Sequence, residues 1–153
     1  MGIEIERKFI VNQEKWAALN NPLGDHYVQA YLNERGATVR IRISAACAWL
    51  TIKGKEKLGA RSEFEYLIPI EDARAMVDEL AVSVLEKWRF KLNIDGLIWE
   101  IDTFSKDQNG IVMAEVELDD ISQNVELPDW IESEVTGDFR YSNSNMAKKI
   151  IKD

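Results

Sequence analysis

The sequence predicts an α+β protein organised around one antiparallel sheet large enough to curl into a barrel. Three observations carry that prediction. Seven or eight segments alternate apolar and polar side chains with period two, as a half-buried strand does. Turn signals such as Asp95-Gly96 and Asn109-Gly110 join neighbouring segments as hairpins. Helical spacing of apolar residues is confined to short stretches, the clearest being 71–84. At 153 residues the chain is expected to form a single domain, 1–153, and about two-thirds of its unfolded surface is available for burial.

In order, Gly2 to Val11 reads as the first strand, with Glu4, Glu6 and Lys8 on one face and Ile3, Ile5 and Phe9 on the other. Asn12 is placed to cap a short helix over 13–19 with Trp16 and Leu19 on its apolar side. A loop over 20–25 leads to a strand over 26–32, and 38–44 alternates again with Arg40 and Arg42 opposite Val39, Ile41 and Ile43. The strand over 49–55 sets Thr51 and Lys53 against Leu50 and Ile52; the link 45–48 lacks any residue that favours positive φ, so this hairpin is inferred from its flanks. A strand over 61–70 aligns Arg61, Glu63 and Glu65. The helix over 71–84 has Glu71 and Asp72 where a helix start favours negative charge. Period two returns over 85–92 with Lys87, Arg89 and Lys91, over 97–104 with Glu100 and Asp102, and over 111–118 with Glu115 and Glu117. Short helices are expected over 119–124 and 128–131, an extended or irregular stretch over 132–138, and a final helix over 142–152 on Met146, Ile150 and Ile151.

Composition bounds the function. Hydrophobic residues make up 46% and charged residues 30% of the chain, which is the balance of a soluble globular protein. The net charge of −8 argues against nucleic acid or an anionic membrane surface as partner, but leaves a local pocket for a small anion open. One cysteine, Cys47, excludes an internal disulfide, and no targeting segment or long apolar run is visible, so a cytoplasmic monomer or homodimer is expected.

The aligned charges form an acidic set (Glu4, Glu6, Glu63, Glu65, Glu100, Asp102, Glu115, Glu117) and a basic set (Lys8, Arg40, Arg42, Lys53, Lys55, Arg61, Lys87, Arg89, Lys91). Two arrangements satisfy this pattern. In one, the charged face meets water and is laced by cross-strand ion pairs. In the other, the sheet closes with its charges inward around a wet tunnel and helices cover the apolar exterior. Exposed ion pairs contribute at most about 1 kcal/mol each, so stability alone hardly accounts for so many. Guanidinium and ammonium groups beside carboxylates suit a polyanion held together with a hard divalent cation.

These residues resemble the CYTH domain proteins, also called triphosphate tunnel metalloenzymes. The Glu-x-Glu-x-Lys hallmark is matched by Glu4-Ile5-Glu6-Arg7-Lys8, Arg-x-Arg by Arg40-Ile41-Arg42, Thr-x-Lys by Thr51-Ile52-Lys53 and Lys-x-Arg by Lys87-Trp88-Arg89. Glu100-Ile101-Asp102 and Glu115-Val116-Glu117 match the acidic strands. Gln29-Ala30-Tyr31-Leu32 and the tail from Glu134-Val135-Thr136 to Arg140-Tyr141-Ser142-Asn143 look like the short bacterial members. The resemblance covers nearly the whole chain.

The resemblance implies an eight-stranded antiparallel closed β-barrel, a tunnel with a charged interior and helices on the outside, that hydrolyses a triphosphate with Mg²⁺ or Mn²⁺. By position it assigns Lys8, Arg40, Arg42, Lys53, Lys87 and Arg89 to the substrate, and Glu4, Glu6, Asp102, Glu115 and Glu117 to the metal. Glu4, Glu6, Lys8, Lys87 and Glu117 are the implied catalytic group. Glu63 and Glu65 are expected to pair with arginines, Lys55, Arg61, Lys91 and Glu100 to lie at the rim, and Arg140 to close one end. Closely set carboxylates repel one another, which favours metal binding or raises a pKa. Inorganic triphosphate is the expected substrate. The alternatives are nucleoside or thiamine triphosphate hydrolysis, cyclisation of ATP, or a non-catalytic polyphosphate- or nucleotide-binding module. His26 and Cys47 are read as structural, the five tryptophans as exterior core, and Lys148, Lys149 and Lys152 as a solvated helix end.

Overall fold

A computed structural model describes residues 2–148. Nine strands form one antiparallel sheet: β1 (Gly2–Val11), β2 (Asp25–Tyr31), β3 (Thr38–Ile43), β4 (Ala48–Lys53), β5 (Ala60–Ile68), β6 (Ser83–Ile94), β7 (Leu97–Phe104), β8 (Val112–Glu117) and β9 (Ile131–Glu134). Their spatial order is β5-β4-β3-β2-β6-β7-β8-β1-β9, and an additional β5–β1 pairing closes the first eight into a barrel. That seam runs from Gly2↔Glu63 to Ile5↔Ala60, and β9 takes up the far half of the same β1 edge at Phe9–Val11. Closure removes the exposed edges that an open sheet of this size would carry.

Helices α1 (Gln13–Ala18), α2 (Ile70–Leu80) and α3 (Asn143–Lys148) complete the fold. Asn12 caps α1 as expected, its side chain accepting from the Lys15 amide at 3.0 Å. α2 ends four residues before its expected limit, because β6 begins at Ser83 and pairs it with Tyr31 of β2. Asp95 and Gly96 both adopt positive φ (51° and 83°), the two-residue turn that matches strand twist. The 45–48 link needs no positive φ: the Ser44 hydroxyl accepts from the amides of Ala46 and Cys47 at 3.3 and 3.0 Å.

Two expectations fail in the tail. The stretch 119–124 is a turn and not a helix, since Asp120 accepts from both the amide and the hydroxyl of Ser122 and Gln123 accepts from the Asp119 amide. Ile131 opens strand β9 in place of closing a helix. The expected helix over 142–152 is seen as α3; Lys149, Ile150, Ile151 and Lys152 lie outside the described residues.

The exterior is packed in two places. Phe9, Trp99, Ile101, Val112, Ala114 and Val116 lie under Trp16 of α1, Leu118, Trp130 and Ile131, with Trp99 and Trp130 ring centroids 5.7 Å apart. Ala30, Ile41 and Ala48 lie under Ala73, Met76 and Val77 of α2. A third apolar cluster sits inside the barrel at one end: Tyr31, Leu85, Phe104 and Met113, all facing inward, pack on Met146 and Ala147 of α3. α3 is therefore not an exterior helix but the floor of the tunnel. Among the described residues no helix is long and apolar enough to cross a membrane.

Candidate functional site: a charged tunnel

Period-two alternation on a closed sheet decides which side chains look inward. β1 sends in Glu4, Glu6 and Lys8; β3 sends in Arg40 and Arg42; β4 Lys53; β5 Arg61, Glu63 and Glu65; β6 Lys87, Arg89 and Lys91; β7 Glu100; β8 Glu115 and Glu117. These line a cavity of about 270 Å³ whose far wall is Ser142, Asn143 and Ser144. The lining has eight cations and seven carboxylates, so its balance is far from the −8 of the whole chain.

The charges are not mixed evenly. Around the ring, β5, β1 and β8 are consecutive and carry Glu4, Glu6, Glu63, Glu65, Glu115 and Glu117. Opposite them lie β3, β2 and β6, which carry Arg40, Arg42, Lys87, Arg89 and Lys91 and no lining carboxylate. An acidic arc thus faces a basic arc across the cavity.

On the acidic arc, register sets Glu6 opposite Glu117 and Lys8 opposite Glu115. Burial, Glu115 and Glu4 push the Glu6 carboxyl well above the usual range. Burial and contact with Glu4 raise Glu63 to about 7. Burial also raises Glu117, with Glu4 and Glu100 adding to it. Glu4 and Glu115 go the other way: burial alone would raise them, but Lys53 holds Glu4 low, and Lys8 and Arg89 hold Glu115 low. Glu4 Oε2 forms a buried ion pair with Lys53 Nζ at 2.8 Å and, among the described residues, has no donor in good hydrogen-bond alignment.

On the basic arc, Asp102 anchors two cations. Its oxygens accept from Lys87 at 2.7 Å and from Arg89 at 2.7 and 2.8 Å, and it is 1% exposed. Burial opposes ionisation of Asp102, yet Arg89 and Lys87 hold it at about 2. Burial and the nearby Arg89 bring the Lys87 amine down to about 7. Lys87 also donates to Asn143 Oδ1 at 2.8 Å.

The site differs from the sequence reading in several places. Asp102, expected among the metal ligands, lies behind the cavity wall with both oxygens engaged by cations. Glu65 accepts from Thr51 at 2.7 Å and lies 3.4 Å from Arg40, in line with its expected pairing. Arg61, Lys91 and Glu100 line the cavity itself, while Lys55 is exposed and outside it. Arg140 is 68% exposed and paired with Asp138 at 2.6 Å, so the residues that close the far end are Ser142–Ser144. Trp49 lines the cavity instead of packing outside. His26 stays on the surface, 2.7 Å from Glu86. Gln29 and Asn143 were missed as site residues; Gln29 shares a strand face with Tyr27 and Tyr31, a signal that alternation of β2 contains, whereas Asn143 is the first residue of α3 and follows no strand period.

Among the described residues no three histidine, cysteine or acidic side chains converge as a ready-made cation cage. The donor chemistry of the acidic arc nevertheless fits a hard divalent cation: all its donors are carboxylate oxygens, and the Glu4 oxygen has unspent lone pairs.

Fold and lining together define a tunnel protein, a closed barrel whose ligand site is its own interior. The CYTH domain model matches residues 2–151, and the chain belongs to that family. It is 40% identical over 155 residues to an inorganic triphosphatase of Acetivibrio thermocellus, covering 100% of this chain and 98% of that one. The crystal structure of the inorganic triphosphatase NE1496 superposes with a TM-score of 0.66 at 28% identity, covering 97% of this chain and 100% of that one. A protein from Pyrococcus horikoshii OT3 shares the fold, with a TM-score of 0.57 at 19% identity over 78% of this chain and 80% of its own. Membership of this family implies dependence on a divalent metal.

Proposed function

We propose that the protein is a divalent-metal-dependent triphosphatase whose substrate is inorganic triphosphate. The observation that carries the reading is the pair of opposed arcs: cations on β3 and β6 across the cavity from carboxylates on β1, β5 and β8. A linear polyanion needs several cations along its length, and a hard cation needs oxygens at one end of it. The triphosphatase relatives, one alike over almost all of both chains, support the same reading.

In this reading Lys8, Arg40, Arg42, Lys53, Lys87 and Arg89 hold the phosphate oxygens extended. Glu4, Glu6, Glu115 and Glu117 are the donors for Mg²⁺ or Mn²⁺, and Asp102 keeps Lys87 and Arg89 in place behind them. The metal, when bound, supplies a positive charge that neutralises phosphate oxygens and favours attack by water. Phosphoryl transfer otherwise asks the protein for positioning and charge stabilisation. Lys8, on the acidic arc at 3.7 Å from Glu115, stands where the cation and the polyanion would meet. Glu117, raised and exposed on the cavity lining, is the candidate to orient water. The anionic substrate is small, and the site is in the cytoplasm in this reading.

A substrate panel with Mg²⁺ and with Mn²⁺ tests it. Inorganic triphosphate is expected to be hydrolysed faster than ATP or thiamine triphosphate. Cyclic AMP formed from ATP, or tight triphosphate binding without turnover, sinks the proposal.

A further inference from the structure

Arg42 is set apart from the other cations of the tunnel. Lys8, Arg40, Lys53, Arg61, Lys87, Arg89 and Lys91 each have a carboxylate within 4.0 Å. Arg42, among the described residues, has none. What holds it is neutral. Its Nε donates to Gln29 Oε1 at 2.8 Å, and its guanidinium lies over the Tyr27 ring, 5.1 Å from the centroid. Gln29 and Arg42 are direct cross-strand partners on β2 and β3. Among the described residues the terminal nitrogens of Arg42 have no protein acceptor, and Arg42 lines the cavity.

Gln29 is 0% exposed, and the direction of its amide is forced. Arginine only donates, so Gln29 must turn its oxygen to Arg42. Its Nε2 then donates to Tyr31 Oη at 3.0 Å and to Asn143 Oδ1 at 3.2 Å. Asn143 is held from its other side by Lys87, whose ammonium form only donates and does so to that Oδ1 at 2.8 Å. Tyr31 accepts from Gln29, which leaves its own hydroxyl proton unspent. One buried amide therefore orients a guanidinium and a phenol that both belong to the cavity lining. A carboxylate in its place would make the same bonds to Arg42 and would neutralise it.

We infer that Gln29 is a positioning residue for the substrate anion, holding Arg42 through Nε so that its two terminal nitrogens, with the Tyr31 hydroxyl, are presented uncompensated to phosphate oxygens. This rests on the triphosphatase reading above. It goes further in separating Arg42, held ready by a neutral partner, from the cations that the anion must share with carboxylates.

The test is steady-state kinetics of Mg²⁺-supported phosphate release from inorganic triphosphate, with thermal melting of every variant. Gln29→Met, close in length and without the amide, is expected to raise KM roughly tenfold, the worth of one hydrogen bond to a charged group, with a smaller change in kcat. Gln29→Glu is expected to raise KM at least as much while melting no lower than Gln29→Met, because the new carboxylate pairs with Arg42. On an Arg42→Met background, Gln29→Met is expected to add less than twofold. Arg42→Lys, which keeps the charge but has no Nε to hold, is expected to resemble Arg42→Met. The inference is overturned if either folded Gln29 variant keeps KM within twofold of wild type, if the two substitutions act additively, or if Arg42→Lys restores wild-type KM. The last result decides the matter even where the Gln29 variants do not fold. A wild-type protein that neither binds nor hydrolyses triphosphate sinks the triphosphatase reading itself, whereas unaffected variants of an active enzyme sink only this inference.

Discussion

Lys53 of β4 and Glu4 of β1 meet at 2.8 Å across the tunnel seam, although β5 lies between their strands. The pair ties the closing strands together from inside and joins a residue proposed for substrate to one proposed for metal. Lys53 does not gain from the contact as Glu4 does: burial and Arg40 push its amine down despite the carboxylate beside it. A cation in that position is poorly compensated, and a phosphate oxygen would complete its surroundings.

Replacing Glu4 with glutamine leaves Lys53, among the described residues, with Glu63 at 3.4 Å as its carboxylate partner. Glu4→Gln, and likewise Glu6→Gln, is expected to lower kcat by roughly two orders of magnitude, the typical effect of losing one group that stabilises transition-state charge. Activity titrated against Mg²⁺, together with circular-dichroism melting, checks this. Variants that unfold while keeping wild-type activity per folded molecule would make the charged face structural only.

Asp102→Asn strips charge compensation from two buried cations. Breaking a buried pair in this way costs about 3–5 kcal/mol, which for a chain of this size lowers Tm by roughly 10 °C. Below that melting range the Mg²⁺ concentration for half-maximal activity is expected to match wild type. A shifted Mg²⁺ requirement with unchanged Tm would instead place Asp102 on the metal.

Two carboxyls bend the stability curve in opposite directions. Asp102 is held at about 2, so its contribution is present above the ordinary carboxylate value of 3.8 and is lost as pH falls from there through about 2. Glu63 is raised to about 7, so the folded state holds its proton longer than the unfolded chain, and stability falls as pH rises from about 4.5 through about 7. Melting of the metal-free protein across pH 2–8 measures both. Glu63→Gln is expected to lessen the fall in the upper window, to which the raised Glu6 and Glu117 also contribute, and to leave the acid limb intact.

Gly24 sits at φ +97°, and a Cβ there would stand 2.1 Å from the Arg89 carbonyl oxygen. Gly24→Ala is therefore expected to cost roughly 2–4 kcal/mol through left-handed strain and displacement of β6. Because the displaced segment carries Arg89, KM for triphosphate should rise as well. Calorimetry and initial rates on the same preparation test both effects, and an unchanged melting curve would contradict them.

Most of the barrel was legible because one rule, strict alternation, governs both its walls and its lining. The charged rows of β1, β3, β6 and β8 could be read directly, since each strand repeats a charge at every second residue. Where local side chains compete with the backbone, the reading failed: Asp120 and Gln123 turn 119–124 away from helix, and the Ser44 hydroxyl builds a hairpin that composition did not announce. β9 was legible only as an extended or irregular stretch over 132–138, because four residues on an edge carry little pattern of their own and their strand character comes from pairing with β1. The site failed to be legible where roles depend on neighbours. Asp102 has the same pattern as the metal-type carboxylates, and only its position between Lys87 and Arg89 distinguishes it. Gln29 and Asn143 carry no charge to align, so their part in the site showed only once their partners were in place.

Metal-dependent hydrolysis of inorganic triphosphate in this tunnel is measured most directly as the rate of phosphate release from inorganic triphosphate by the purified protein, with Mg²⁺ or Mn²⁺ and again with a chelator in excess. Release that is sustained with metal and abolished by the chelator is the predicted result. Absence of release with either metal, or release that the chelator leaves untouched, would contradict it.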